Sequence, residues 1–140
     1  MKFLCLYRPG RPERNEPPSQ QEMAQMGKFI EEITKAGVLL ATEGCLPSSV
    51  GARVRINSGK FTVTDGPFPE TKELIGGFAL IQTKTKAEAI EWTKRFVQVD
   101  APGRLGAESE CEIRPFFEFE EFGPSEAVKR FRELGLGTKQ

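Results

Sequence analysis

The chain has no histidine, only three cysteines and no long apolar run in its 140 residues. Without histidine there is no imidazole base, no Ser–His or Cys–His nucleophile pair, and no use of the commonest zinc ligand. The cysteines, at positions 5, 45 and 111, are odd in number and scattered, which argues against a disulfide framework and against a cysteine-built zinc site. Carboxylates nowhere take the spacing of an EF-hand, so no metal is expected, and with no nucleotide motif an enzyme on this chain would use no cofactor or an organic one taken from solution. The apolar run at residues 3–7 is too short for a signal-peptide core or a membrane span, and no other segment approaches spanning length. A cytoplasmic protein with no membrane contact is therefore expected. Twenty basic and twenty acidic residues cancel, so the chain lacks the basic footprint that the phosphate backbone demands, and direct nucleic-acid binding is not expected.

What is present is an ordinary globular composition, 38% hydrophobic and 29% charged, in a length that suits one domain with a real core. Residues 2–8 are apolar on both faces and predict a central strand. The proline- and charge-rich residues 8–19 predict a loop. Ser19 and Glu22 then form a capping box opening a helix whose stripe is Met23, Met26, Ile30 and Ile33, with Phe29 beside it and Gly37 beyond its end. Residues 38–45 predict a second strand. Residues 53–57 and 60–64 alternate Val54, Ile56, Phe61 and Val63 against polar neighbours, and the link Asn57-Ser58-Gly59 joins them as a hairpin with one buried face.

After a loop at residues 65–77, residues 78–83 predict a buried strand, and Thr85 with Glu88 opens a helix to about Val97 carrying Ala89, Trp92 and Phe96, with Ile90 beside them. A polar loop is expected at residues 100–109 and a last strand at 111–119, where Pro115 predicts an edge position or a bulge. Ser125 predicts the cap of a short tail helix through Val128, Phe131 and Leu134 that stops at Gly135. In order, the elements read β-α-β, a hairpin, then β-α-β and a tail. The fold class is α+β, a ferredoxin-like βαββαβ sandwich with an inserted hairpin, the domain occupying residues 1–122 and the helical tail 123–140. Such a sheet has one face without helices, and a homodimer is the expected way to cover it.

Residues 63–92 also carry a resemblance. Asp65-Gly66-Pro67-Phe68, then Glu70-Thr71-Lys72-Glu73, then Gly76-Gly77-Phe78 and an Ala-Ile-Glu-Trp helix are similar to the core signature of the YCII-related, Asp-Gly-Pro-Phe family. Upstream, Gly37-Val38, Glu43 before Leu46-Pro47, and Ala52-Arg53-Val54-Arg55 continue the pattern, so the resemblance runs over residues 1–117. It implies dimeric α/β barrels built from ferredoxin-like units, with no generally assigned activity. Some members occur beside, or fused to, alternative sigma factors, which implies a link to transcription as an alternative role. The founding branch places a histidine and an aspartate at its cleft, and a chain without histidine cannot carry that pair. The resemblance does not account for the 8–19 loop or the tail.

Candidate functional residues follow from both readings. Asp65 is the candidate catalytic residue, a general base or ligand anchor in a stiff turn, or else a carboxylate that caps backbone N–H groups and only fixes the loop. Candidate ligand-binding residues are Tyr7, Arg8, Glu43, Arg55, Phe68 and Lys72. Arg8, Arg11 and Arg14 with Arg53 and Arg55 suit a cationic rim for an anion, and Lys72 lies between Glu70 and Glu73. Gly76-Gly77 lacks the Lys-Ser/Thr of a phosphate loop, and the glutamates between 108 and 121 read as a solvated surface. Two functions remain in view. One is a small-molecule enzyme or binding protein with a pocket near the Asp-Gly-Pro-Phe loop and the dimer interface. The other is a regulatory or protein-interaction module using the hairpin and tail. A polar-lined cavity favours the first, and an exposed apolar patch over a filled core favours the second.

Overall fold

A strand with two apolar faces needs neighbours on both edges, and in the computed structural model the first strand has them. Residues 1–14, 16–100 and 108–136 are described. In chain order the elements are β1 (Lys2–Arg8), α1 (Gln20–Lys35), β2 (Leu39–Gly44), β3 (Ala52–Asn57), β4 (Lys60–Asp65), β5 (Gly77–Gln82), α2 (Lys86–Asp100), β6 (Glu110–Pro115) and α3 (Glu126–Glu133). Four strands make one sheet in the order β2-β5-β1-β6, with every neighbouring pair antiparallel. Strands β3 and β4 pair with each other in a sheet of their own. With that ribbon set aside, the connectivity and the sheet order are compatible with a ferredoxin-like fold.

Helices α1 and α2 pack on each other and on one side of the sheet, which receives Phe3, Cys5 and Tyr7 of β1. Register puts Ala79 and Ile81 of β5 and Cys111 and Ile113 of β6 on that same side. The closed core is Phe3, Cys5, Phe29, Ile33, Val38, Ile81 and Ala89. The capping box of α1 forms as expected, the Ser19 hydroxyl accepting from the Glu22 N–H at 3.1 Å and the Glu22 carboxylate accepting from the Ser19 N–H at 3.3 Å. The predicted stripe is rotated, however. Phe29 and Ile33 are buried while Met23 is 60% exposed. Trp92 and Phe96 of α2 set this rotation, because both rings pack on Phe29 with centroids 6.3 Å away.

Three further expectations are revised. Helix α2 continues to Asp100, a turn beyond Val97, and Ile90 stands at its exposed side. The rest of the loop expected at 100–109 falls largely on residues 101–107, outside the described ones. Strand β6 stops at Pro115 rather than 119, although its edge position is one of the two predicted readings. The Phe116 N–H still reaches the Lys2 carbonyl at 2.9 Å, after which Phe119–Phe122 form a 3-10 turn and Phe117 packs on Phe122. The ribbon has no buried face at all: Val54, Ile56, Phe61 and Val63 are 67%, 64%, 74% and 64% exposed. Its turn is built as expected, with Ser58 and Gly59 at φ 50° and 78°, the left-handed pair that a two-residue hairpin requires.

Among the described residues Phe3 is the largest fully buried side chain. Its replacement by alanine leaves a void between sheet and helices, so Phe3→Ala is expected to lower unfolding stability by about 3–5 kcal/mol, read from a urea titration.

Candidate functional site

Toward the Tyr7 end of β1 the two helices part from the sheet and leave a cavity of about 590 Å3, within the usual range of a small-molecule site. Its walls are mostly apolar: Met26, Phe29 and Ile30 from α1, Trp92 and Phe96 from α2, and Ala79 from β5. Residues of the 8–19 loop and of 74–77 close one side. The loop is anchored by three acids. Arg11 Nη1 lies 3.6 Å from Asp100, Arg14 Nη2 lies 3.0 Å from Glu22, and Glu13 accepts from both the N–H and the hydroxyl of Ser48, at 2.7 and 2.6 Å.

The polar end of the cavity is built from Tyr7, Asp100 and Arg11. The Tyr7 hydroxyl donates to the Asp100 carboxylate, which also faces the Arg11 guanidinium. Phe96 meets the Tyr7 ring edge-on, with centroids 5.1 Å apart, and fixes its plane. Burial pushes the Tyr7 hydroxyl above its ordinary value of 10.0, and the Asp100 carboxylate pushes it the same way because it would repel a phenolate. Beside this group stand two thiols. Register pairs Cys5 with Ile113 and Tyr7 with Cys111, so Cys5 and Cys111 are diagonal neighbours on the helix side of the sheet, and both line the cavity. A hydrogen bond from Cys111 holds the Cys5 thiol below its ordinary value, against the opposing effect of burial, and that same bond with burial pushes Cys111 up.

Of the residues singled out in the sequence, Tyr7 and Glu43 border this cavity, as do Arg11 and Arg14 of the expected cationic rim. Register places Glu43 opposite Phe78, on the side of the sheet away from Tyr7, so the Glu43 carboxylate shares the face opposite α1 and α2. Arg8 also belongs to that face, pairing with Glu110 at 3.4 Å and Glu112 at 3.2 Å. Asp65, Arg55, Phe68 and Lys72 are not among the lining residues. Phe68 lies under the Arg53 guanidinium, 3.9 Å from its ring centre, and Arg53 also holds Glu70 at 3.1 Å. Lys72 reaches Glu108 at 3.2 Å with both side chains exposed.

The Asp-Gly-Pro-Phe turn is fixed differently from the sequence expectation. Among the described residues the exposed Asp65 carboxylate accepts no hydrogen bond. The turn is instead held by the 48–51 segment. Gly66 N–H donates to the Gly51 carbonyl at 3.0 Å, and the Phe68 N–H donates to the Ser48 hydroxyl at 3.1 Å. Gly66 is required by contact, since a Cβ there would come within 1.7 Å of the Ser48 carbonyl oxygen. Sequence reading missed Asp100 by ending α2 early. The signal was present: Asp100 lies four residues after Phe96 and so continues its helical face.

Two measurements follow. The chain has one tyrosine, so its phenolate absorbance reports Tyr7 alone. Native protein should titrate above the value of urea-unfolded protein, which lies near 10. Because the folded value is the raised one, Tyr7 stabilises fully below the unfolded value, and that contribution is lost as pH rises through the folded value. In the loop, Asp65→Asn should change unfolding stability by less than about 0.5 kcal/mol. Ser48→Ala, which removes the hydroxyl bond to the Glu13 carboxylate and the acceptor of the Phe68 N–H while the Ser48 N–H bond to Glu13 remains, should cost about 1–3 kcal/mol. Urea titrations of the two variants check both values.

Comparison with known proteins places this architecture. The chain is 33% identical over 96 residues to an uncharacterised protein of Rhizobium meliloti (strain 1021), an alignment covering 69% of this chain and 73% of that protein. The family model for the YCII-related domain matches residues 1–117, from β1 through the end of β6 and two residues beyond, leaving α3 outside. The chain thus belongs to the YCII-related family.

Proposed function

We propose that this chain binds a small, largely apolar molecule in the cavity between sheet and helices, with the polar end of the molecule held at Tyr7, Asp100 and Arg11. The observation that carries the reading is the convergence of those three side chains at one end of an otherwise apolar cavity of about 590 Å3. A carbonyl or hydroxyl group on the ligand can take the Tyr7 proton or share the Arg11 N–H groups. Any proton exchange with the ligand would run through the Tyr7–Asp100 pair, whose hydrogen bond is already in place. Asp65, Arg8, Arg55, Phe68 and Lys72 have no part in this pocket, and Glu43 meets it only along its strand.

A second reading, a protein-contact module, is favoured by the exposed apolar row of the ribbon. We take its first partner to be another copy of the chain. Leu4, Leu6, Phe78 and Leu80 share the side of the sheet away from α1 and α2 and are half-buried in one chain, and a homodimer closing over them, as in a dimeric α/β barrel with the β3–β4 ribbon as an insertion, would remove them from water. In this reading residues 1–122 are the domain, and 123–140 are a tail available to a regulatory partner.

Anilinonaphthalene sulfonate, an apolar fluorophore with one anionic group, tests the pocket. Saturable one-to-one binding is expected, weakened about tenfold, equivalent to 1.4 kcal/mol, by Tyr7→Phe or Arg11→Ala. Ala79→Trp, which fills the cavity from β5, should abolish it. Unchanged binding to a folded Ala79→Trp protein would sink the pocket reading.

A further inference from the structure

We propose that Cys5 and Cys111 form a two-coordinate site for a soft monovalent cation of the Cu(I) kind. The chain has three cysteines and three methionines, and five of these six sulfur-bearing side chains line one cavity: Cys5, Cys45, Cys111, Met23 and Met26. Two of the thiols lie together. Pro115, opposite Phe3, has no N–H, and the next residue, Phe116, donates its N–H to the Lys2 carbonyl at 2.9 Å. Phe3–Pro115, Cys5–Ile113 and Tyr7–Cys111 are therefore the non-hydrogen-bonded pairs, in which side chains of the two strands approach most closely. Cys5 and Cys111 are diagonal within that row, and their thiols are hydrogen-bonded to each other.

This spacing favours a bridge of one atom over a direct sulfur–sulfur bond. A disulfide needs Cα atoms about 4.4–6.8 Å apart, whereas diagonal neighbours stand about 7–8 Å apart. An ion between the sulfurs takes up the difference without moving either strand. The number of ligands then selects the ion. Among the described residues no group of three His, Cys, Asp or Glu side chains could hold a metal, so the pair gains no third ligand of these kinds. Zn(II) takes three or four protein ligands, more than the pair supplies. Soft sulfur ligands select Cu(I), which two thiolates suffice to hold. Binding breaks both S–H bonds: each sulfur gives an electron pair to the ion, two protons leave to solvent, and no oxidation state changes. The apolar walls at Phe29, Trp92 and Phe96 keep water from the ion. The site makes no use of Tyr7, Asp100 or Arg11, so it stands or falls apart from the small-molecule reading above.

Reduced protein, kept free of oxygen, is titrated with Cu(I) against a chromophoric Cu(I) chelator, a pH indicator counts the protons released, and circular dichroism reads the fold. Wild-type protein should bind one equivalent and release about two protons, one from each thiol. X-ray absorption should show sulfur alone around the copper. Cys5→Ser and Cys111→Ser should each weaken binding at least about a hundredfold, the upper end of what losing a group that merely supports a ligand costs. Cys45→Ser, at the exposed thiol, should bind as wild type does. Should Cys5→Ser fail to fold, Cys111→Ser decides alone, since Cys111 is only half-buried. Wild-type binding no tighter than that of folded Cys111→Ser protein overturns the site. Binding lost in Cys45→Ser overturns it as well, and so does Zn(II) held at one equivalent with equal strength.

Discussion

One row of side chains on β1 orders the helix side of this molecule. Phe3, Cys5 and Tyr7 point toward the helices in succession, and the strand that carries them is hydrogen-bonded on both edges. At Phe3 the packing is closed, with no exposed surface left on the ring. At Tyr7 the row ends in a hydroxyl, and a buried hydroxyl needs a partner. Asp100 supplies it from the end of α2, and Arg11 supplies the countercharge from the loop that leaves β1. The same strand therefore builds the core at one end and the polar end of a cavity at the other.

That arrangement accounts for the remaining contacts. An arginine drawn to Asp100 brings the 8–19 loop over the cavity, and Glu13 ties this loop to Ser48. Ser48 in turn receives the Phe68 N–H, so the loop after β1, the turn before β3 and the Asp-Gly-Pro-Phe turn after β4 form one hydrogen-bonded chain. The Asp-Gly-Pro-Phe turn is thus tied through Ser48 to the loop that closes the cavity. Its glycine admits a close backbone approach, and its phenylalanine supports Arg53.

Much of the fold was legible because it is local. Ser19 and Glu22 specified a helix start that needs nothing beyond its own first turn. The link Asn57-Ser58-Gly59 specified a hairpin, with Ser58 rather than Asn57 taking the positive φ beside Gly59, and Pro115 narrowed its strand to an edge or a bulge, for equally local reasons. The α1 stripe was read less well, because helical periodicity leaves the choice among Met23, Met26 and Phe29 to whatever packs opposite. Trp92 and Phe96 made that choice from more than sixty positions away.

The sequence by itself determined the element order, the caps, the turn chemistry and the exclusion of histidine-based sites, since each of these depends on neighbouring residues or on composition. Tertiary structure decided where chemistry gathers. Tyr7, Arg11 and Asp100 span more than ninety positions, and only the antiparallel sheet with its crossing helices puts them together. Tertiary structure also decided that the apolar face of the ribbon meets water. Alternation along a strand says which side chains share a face, but what covers that face is fixed by elements far away in sequence.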